Sequence, residues 1–222
     1  MASADGFDLP ASSRRQGERN SPKSQRTRAR ILETALRLFV ERGYAAASNP
    51  AIAEAAGLTR GAMLYHFESR EALLEAVIPY IQGERTRLLQ EAVASAPHGA
   101  DRTDHAIDSY WRLLHTPPFV AFAELEAAAR TDEALSARLA PARDAFDRAE
   151  LAEGLFDLVQ GADGPRFLAS RDLARFMLEG LARARLSHNA AARTADLLAV
   201  VKRVARALNR KGSAADLWPS EG

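Results

Sequence analysis

Residues 48–67 read SNPAIAEAAGLTRGAMLYHF, and this stretch decides the fold. Asn49-Pro50 predicts the start of a short helix, because an amide side chain suits a helix cap and proline suits the first turn. Gly57 ends that helix and supplies the backbone freedom that a tight turn needs. Thr59 is predicted to cap a second short helix. Two short helices joined by such a glycine turn form a helix-turn-helix.

The second helix of this motif is predicted to have an inner and an outer face. Met63 and Phe67 face the core, and Gly61 keeps the outer face low enough for its backbone to approach DNA bases. Arg60 can reach a guanine edge or a phosphate. The alternative for this face is a solvated helix start. Side chains beside Gly61 and around the motif extend the set of residues that we predict to contact DNA: Arg28, Ser48, Asn49, Thr59, Arg60, Gly61, Leu64, Tyr65, His66 and Arg70.

Apolar residues recur at helical spacing on both sides of the motif. Ile31, Ala35 and Leu38 mark a preceding helix, which Gly43 is predicted to stop. Ser69 is predicted to cap a long following helix. No segment shows the strict alternation of a half-buried strand. The sequence therefore predicts an all-α fold.

Three segments in order, TRARILETALRLFVERGY, IAEAAGLTRGAMLYHF and ESREALLEAV, resemble the DNA-binding domain of the tetracycline-repressor (TetR) family. The resemblance covers residues 27–77 without gaps. It implies an N-terminal three-helix helix-turn-helix domain and a C-terminal helical domain for effector binding and dimerisation. It further implies a homodimer on near-palindromic double-stranded operator DNA, and a repressor that a small-molecule effector releases. The positions that carry it are Phe39, Gly43, Tyr44, Ile52, Ala53, Ala56, Gly57, Gly61, Ala62, His66, Phe67 and Leu73.

Three positions depart from the family pattern. Ala47 stands where the family usually has threonine, so helix capping is expected to shift to Ser48 or Asn49. Pro50 occupies a position that is often polar or basic, and it cannot make that contact with DNA. Leu64 stands where tyrosine is common, which indicates a different role for the tyrosine that follows it and leaves Leu64 to meet a thymine methyl group.

We divide the chain into four segments by composition and pattern. Residues 1–24 are predicted to be a disordered basic arm, 25–72 the helix-turn-helix domain, 73–211 the effector-binding and dimerisation domain, and 212–222 a flexible tail. Residues 14–30 hold seven basic side chains and one acidic side chain, although the formal net charge of the chain is only +1. Such an arm either lies along phosphates or serves as a solubilising tail.

Aromatic side chains on the central helices are candidates for the effector pocket that the resemblance implies. Glu126 and Arg130 are spaced i, i+4, which is typical of a surface ion pair; if that face turned inward, both could grip a polar ligand group. The alternative for the apolar members is plain core. The predicted effector-binding residues are Trp111, Phe119, Phe122, Glu126, Arg130, Phe146 and Met177.

The last two predicted helices carry small and branched residues on one face, as helices that pair closely do. The resemblance implies that they form a four-helix dimer interface, and packing within one chain is the alternative. Basic residues nearby, Lys202, Arg203, Arg206 and Arg210, are predicted to form a solvated rim. The predicted interface residues are Phe176, Gly180, Ala184, Leu197, Val201 and Val204.

Composition excludes several other classes of protein. The chain has 222 residues, 47% of them apolar, and no cysteine, so disulfide frameworks, thiolate metal sites and cysteine nucleophiles are ruled out. No run of apolar residues is long enough to span a membrane, and the five histidines lack metal-site spacing. We therefore predict no cofactor, no metal, no membrane partner and no enzymatic activity, and a cytoplasmic, nucleoid-associated location. A transcriptional activator of the same fold and a small all-helical enzyme are the alternatives.

Overall fold

A computed structural model describes residues 21–97, 102–153, 155, 165–184 and 186–209. These ranges contain no strand, which confirms the all-α prediction. Within them no helix has both the length and the apolar character that crossing a membrane requires. The helices are α1 Pro22–Ala46, α2 Asn49–Ala55, α3 Arg60–His66, α4 Arg70–Ala94, α5 Thr103–Leu113, α6 Pro117–Ala129, α7 Glu133–Glu153, α8 Pro165–Arg183 and α9 Ala190–Asn209.

Helix α1 begins earlier than the sequence predicted. The Ser21 hydroxyl accepts a hydrogen bond from the Ser24 amide at 3.3 Å, and Pro22 occupies the first turn. Residues 22–24, assigned to the disordered arm, are therefore helical, because a serine cap followed by proline starts a helix. The rest of that arm and the predicted tail at 212–222 lie outside the described residues.

Two glycines do what the sequence predicted of them. Gly43 leaves helical geometry with φ +77°, which breaks α1 one turn before its end. Gly57 has φ +65° in the turn between α2 and α3. Both angles lie in the region that favours glycine, because a Cβ would clash with the backbone there.

Helix α4 runs for 25 residues from the helix-turn-helix into the rest of the molecule. Ser69 caps it by accepting from the Ala72 amide at 3.1 Å. Glu71 lies in its first turn, where a backbone hydrogen bond and the Ser69 hydroxyl lower the pKa of its carboxyl group. The predicted Ser69 cap is thus confirmed.

Helix α7 is continuous although it contains a proline. The Asp132 carboxylate accepts from the Leu135 amide at 2.9 Å, which caps the helix. Pro141 lies inside this helix, which continues to Glu153.

The buried apolar side chains form two clusters. The first core joins α1–α4 with parts of α6 and α7, and its largest members include Phe39, Ile52, Phe67 and Leu73. The second core joins α5–α9 with the last turns of α4 and includes Leu89, Tyr110, Phe146 and Leu178. Helix α6 belongs to both cores: it gives Ala121, Phe122 and Leu125 to the first core and Phe119 to the second.

Helices α8 and α9 pack against each other, and both pack against α5. Lys202 on α9 pairs with Asp108 on α5 at 2.6 Å, and Arg206 pairs with Asp104. Lys202 and Arg206 remain partly exposed, with 21% and 33% of their side-chain surface open, so their place in a solvated rim stays a prediction; α5 adds a carboxylate partner for each. Arg203 is exposed, as predicted, and Arg210 lies outside the described residues.

Candidate DNA interface and ligand site

The helix-turn-helix is held by local hydrogen bonds. Ser48 caps α2 by accepting from the Ala51 amide at 3.4 Å, which decides between the two predicted caps. Thr59 caps α3 by accepting from the Ala62 amide at 3.1 Å. Each hydroxyl keeps its own hydrogen, so both can still donate to a phosphate oxygen.

The turn between the two helices closes on itself. The Gly57 amide donates to the Glu54 carbonyl at 2.9 Å, and the Leu58 amide donates to the Ala53 carbonyl at 2.8 Å. Leu58 packs partly buried against the first core, which also holds Ile52 and Ala53 of α2 and Met63 of α3. Backbone hydrogen bonds and this shared core therefore hold α2 and α3 together.

Helix α3 has the two faces that the sequence predicted. Met63 and Phe67 are buried in the first core, with 2% and 1% of their surface exposed. The opposite face is open: Leu64 is 44% exposed and Tyr65 is 36% exposed. The side chains at Thr59 and Arg60, and the backbone at Gly61, are also exposed.

Gly61 is not required by the fold. A Cβ built at this position meets no nearer atom than the Thr59 hydroxyl, at 4.0 Å. Its backbone is helical and its φ is not positive. The absence of a side chain therefore leaves open space in front of α3, where an external surface can come close to the helix.

Arg28 connects α1 to the end of α3. Its guanidinium group lies 4.3 Å from the centre of the Phe67 ring and donates to the His66 carbonyl at 3.4 Å. The rings of Tyr65 and His66 meet edge to face at 5.1 Å. Arg28, Tyr65 and His66 therefore lie together at one end of α3. A cation at this helix end is also favoured by the helix dipole.

Arg70 has a structural role that the sequence did not predict. Its guanidinium group donates to the Ala47 carbonyl at 2.7 Å and to the Tyr44 carbonyl at 3.0 Å, and it stacks over the Tyr44 ring at 4.4 Å. Arg70 thereby ties α4 to the α1–α2 connection. Contact of its remaining N–H groups with DNA stays a prediction.

Asn49 is half-buried at the start of α2, and its Oδ1 has no hydrogen-bond partner among the described residues.

Three of the predicted ligand residues surround an arginine in the molecule's interior. The guanidinium carbon of Arg85 lies 4.9, 4.0 and 3.9 Å from the ring centres of Phe119, Phe122 and Phe146. Arg85 is 5% exposed. Arg85 was not among the predicted ligand residues, although it occupies the inward stripe of α4 between Ile81 and Leu89, where an apolar residue is expected.

The remaining ligand candidates are placed elsewhere. Glu126 pairs with Arg143 at 3.3 Å and with Arg183 at 3.2 Å, whereas Arg130 is exposed. The expectation of a Glu126–Arg130 ion pair is therefore wrong, because α7 and α8 bring two other arginines to this carboxylate. Trp111 and Met177 are half-buried against the second core.

A groove of about 640 Å³ runs between α4 and α7, and the sequence analysis did not predict it. Its wall is largely apolar, and Gln82 contributes a polar group that is 8% exposed. None of the seven predicted ligand residues lines it. The lining residues are Leu74, Glu75, Ile78, Pro79, Gln82, Gly83, Thr86, Arg87, Gln90, Arg138, Pro141, Ala142 and Ala145.

An apolar stripe is exposed along α8 and α9. Phe176 is 61% exposed, and a Cβ at Gly180 would meet no atom within 4 Å. Val201 is 3% exposed because it packs between α8 and α9, so little of it is available to a partner chain; Val200, 37% exposed, lies on the open side instead. Val204 is half-buried. The exposed members are Leu173, Phe176, Gly180, Ala184, Leu197 and Val200, and we call them the α8–α9 stripe.

Residues 31–77 match the sequence profile of the bacterial regulatory proteins of the tetR family. The chain is 43% identical over 60 residues to the HTH-type transcriptional regulator TtgR of Pseudomonas putida; the match covers 27% of this chain and 29% of TtgR. It is 32% identical over 93 residues to the HTH-type transcriptional regulator UidR of Escherichia coli, covering 42% of this chain and 45% of UidR. The chain thus matches less than half the length of these curated relatives.

The solved structure of GusR from Salmonella enterica has a similar fold. It superposes with a TM-score of 0.62 at 22% sequence identity, over 86% of this chain and 98% of GusR. The structural similarity therefore continues beyond the helix-turn-helix, where the sequences have diverged.

Proposed function

We propose that this chain is a sequence-specific DNA-binding transcriptional regulator of the tetR family of bacterial regulatory proteins, whose profile its residues 31–77 match. The observation that carries this proposal is the exposed face of α3. Thr59 caps this helix, Met63 packs into the first core, and Gly61 has no side chain to block the approach of another molecule. In this proposal the chain is a repressor that a small-molecule effector releases, and it acts in the cytoplasm at the nucleoid.

In the proposed complex α3 enters the major groove. Arg60 reads a base edge or holds a phosphate, and Leu64 meets a thymine methyl group. Thr59 and Ser48 donate their hydroxyl hydrogens to phosphates, as Tyr65 and His66 do at the other end of the helix. Arg28 adds positive charge beside that end, and Asn49 lies next to the groove edge.

We propose that the operator is near-palindromic because the protein is a homodimer. A two-fold axis through the dimer places one α3 helix in each of two half-sites, about one DNA turn or a little more apart. The α8–α9 stripe supports this part of the proposal, since exposed apolar residues in a row mark a protein interface. A stable dimer would bury about 1,600 Å² or more there.

The effector in this proposal binds near the phenylalanines of the second domain. Phe122 and Phe119 on α6 lie on opposite sides of the boundary between the two cores. Helix α1 packs along α6, and α4 runs from the effector domain to Ser69. A ligand that shifts α6 or α4 would therefore change the spacing of the two α3 helices, with a coupling of about 1–3 kcal/mol.

The test is a selection of genomic DNA fragments with the purified full chain, followed by binding to the recovered fragment at two salt concentrations. We expect one enriched near-palindrome, bound by a dimer, with an affinity that falls steeply as salt rises. Salt-sensitive binding without any preferred sequence, repeated in the presence of cell-extract metabolites, would reject the proposal. The position of the recovered operator relative to its promoter distinguishes a repressor from an activator.

Arg60→Ala is the matching variant. We expect it to weaken operator binding by about 1–3 kcal/mol while the dimer and the thermal stability stay as in the wild type. Unchanged affinity in this variant would remove Arg60 from the proposed interface.

A further inference from the structure

A layer of polar side chains lies where the two apolar cores meet, because its arginine contacts Phe122 of the first core and Phe119 and Phe146 of the second. Arg85 lies at its centre and Gln82 beside it on α4. On the other helices, the Tyr110 hydroxyl donates to the Glu179 carboxylate at 2.9 Å, and Arg175 donates to the same carboxylate at 3.0 Å. The Tyr110 hydroxyl and the Arg175 guanidinium group therefore share one acceptor, the Glu179 carboxylate.

The acidic groups of this layer are committed to other arginines. Glu179 pairs with Arg175, and Asp147 pairs with Arg175 at 2.5 Å. Glu126 pairs with Arg143 and Arg183. In the described part of the chain, no carboxylate forms an ion pair with Arg85.

Arg85 itself is only partly satisfied. One terminal nitrogen, Nη1, donates to Gln82 Oε1 at 2.9 Å, and its Nε has no hydrogen-bond partner among the described residues. Burial lowers the pKa of Arg85 to about 10, so the group is still charged at neutral pH. Three phenyl rings offset part of the lost hydration by cation–π attraction. The Glu126 and Glu179 carboxylates stabilise the charge from a distance, but burial outweighs them. A buried cation without a direct ion pair remains costly, and an anion placed beside it would relieve that cost.

Gln82 stands between the groove and this arginine, which does not itself line the groove. Gln82 lines the groove and also accepts the hydrogen bond from Arg85. Ala142 of the groove wall precedes Phe146, which stacks on Arg85, by one helical turn. An acceptor that enters along the groove therefore reaches Arg85 by taking the place of the Gln82 oxygen.

We propose that the effector is an organic monoanion, whose apolar body occupies the groove and whose carboxylate binds the guanidinium group of Arg85. This inference rests on the proposed function and names the chemistry of its ligand. The largely apolar wall of the groove favours an apolar ligand body. The apolar wall residues are Leu74, Ile78, Pro79, Pro141, Ala142 and Ala145. Arg85 selects the charge, because a planar carboxylate can accept from two guanidinium N–H groups at once.

The test compares carboxylates with their neutral amides on the full-length chain. The probes are benzoate, phenylacetate and octanoate, each paired with benzamide, phenylacetamide or octanamide at the same millimolar concentrations. Thermal unfolding and calorimetry measure binding. We expect at least one carboxylate to bind and to raise the melting temperature in a concentration-dependent way, and its amide to bind about 10- to 100-fold more weakly. If none of the three carboxylates binds, or if the amides bind equally well, the proposal is overturned.

Arg85→Met and Arg87→Met form the matched pair of variants. Arg87 also lines the groove but is exposed and paired with Glu84 and Glu91. We expect Arg85→Met to abolish the preference for carboxylate and to leave the ligand-free chain at least as stable as the wild type, whereas Arg87→Met keeps the preference. Equal carboxylate binding by Arg85→Met would overturn the proposal. Should that variant fail to fold, the comparison of acid with amide on the wild type decides alone.

Operator binding is measured on the same preparations. A selected operator together with failed carboxylate binding rejects the anion site and leaves the regulator. Carboxylate binding that depends on Arg85, in a protein that selects no DNA sequence, rejects the regulator and leaves the anion site.

Discussion

Gly61 makes the contact surface of α3 testable at a single position. Because a Cβ there has room within the chain, Gly61→Ala should fold and gain up to about 1 kcal/mol of helix stability. The same methyl group would keep DNA from approaching α3, so we expect operator affinity to fall by about 1–3 kcal/mol. Thermal unfolding and operator binding measure the two effects.

Gly83→Ala is the control for this prediction. Gly83 is an exposed helical glycine on α4 with no atom near its Cβ position. It should gain a similar stability and bind the operator as the wild type does. An operator affinity unchanged in Gly61→Ala would mean that DNA does not come close to this part of α3.

Arg70 has a structural role in addition to its predicted contact with DNA, and one variant separates the two. Arg70→Met keeps the apolar stem but removes the hydrogen bonds to the Ala47 and Tyr44 carbonyls. We expect the free energy of unfolding to fall by about 2–3 kcal/mol. If Arg70 also contacts a phosphate, as predicted, the slope of the salt dependence of operator binding should fall by about one; a purely structural role leaves this slope unchanged. A lower slope with wild-type stability would instead assign Arg70 to DNA.

At the scale of the element, Thr59 both caps α3 and, in the proposed complex, donates to a DNA phosphate, and one substitution separates these two roles. Thr59→Asp keeps a good capping oxygen for the Ala62 amide, so we expect stability within about 0.5 kcal/mol of the wild type. A carboxylate at this exposed position repels phosphates, and operator binding should be lost. Thr59→Ser, which keeps both the cap and the hydroxyl hydrogen, should behave as the wild type. Operator binding by Thr59→Asp would place this helix end away from DNA.

Element boundaries were predictable because their causes are local. Ser48, Thr59 and Ser69 each bond to an amide three residues ahead, and a cap of this kind is visible in the sequence. The burial of Arg85 was not predictable in this way. Its environment consists of rings from α6 and α7, which lie far along the chain, and an arginine on a helix normally indicates a solvated position.

The face of α9 illustrates a second limit. Leu197, Val200, Val201 and Val204 fit two overlapping helical stripes, and adjacent residues point about 100° apart. Only the packing of α9 on α8 and α5 decides that Val201 is inside and Val200 outside. The sequence therefore identifies the helix that carries an interface but cannot choose between neighbouring apolar positions.

At the scale of the whole molecule, the proposed dimer depends on the α8–α9 stripe. Phe176→Glu places a charge in the most exposed large apolar position of the described chain. We expect a monomer at micromolar concentration by analytical ultracentrifugation, with operator affinity reduced by at least about tenfold because one protomer holds one half-site. Leu64→Glu, an equally polar change on α3, should remain a dimer. A dimeric Phe176→Glu would move the interface elsewhere.

The packing of α1 along α6 bears on how such proteins can be recombined. In a chimaera that joins residues 21–70 to a foreign ligand-binding domain, α1 would pack against a foreign helix whose side chains do not match its surface. The break at Gly43 adds to this mismatch, because its Cα faces the Glu124 carboxylate of α6. A graft that also carries the α6 positions Ala121, Leu125 and Ala129 would keep the joint intact, so the transplantable unit is discontinuous in sequence although it is compact in space.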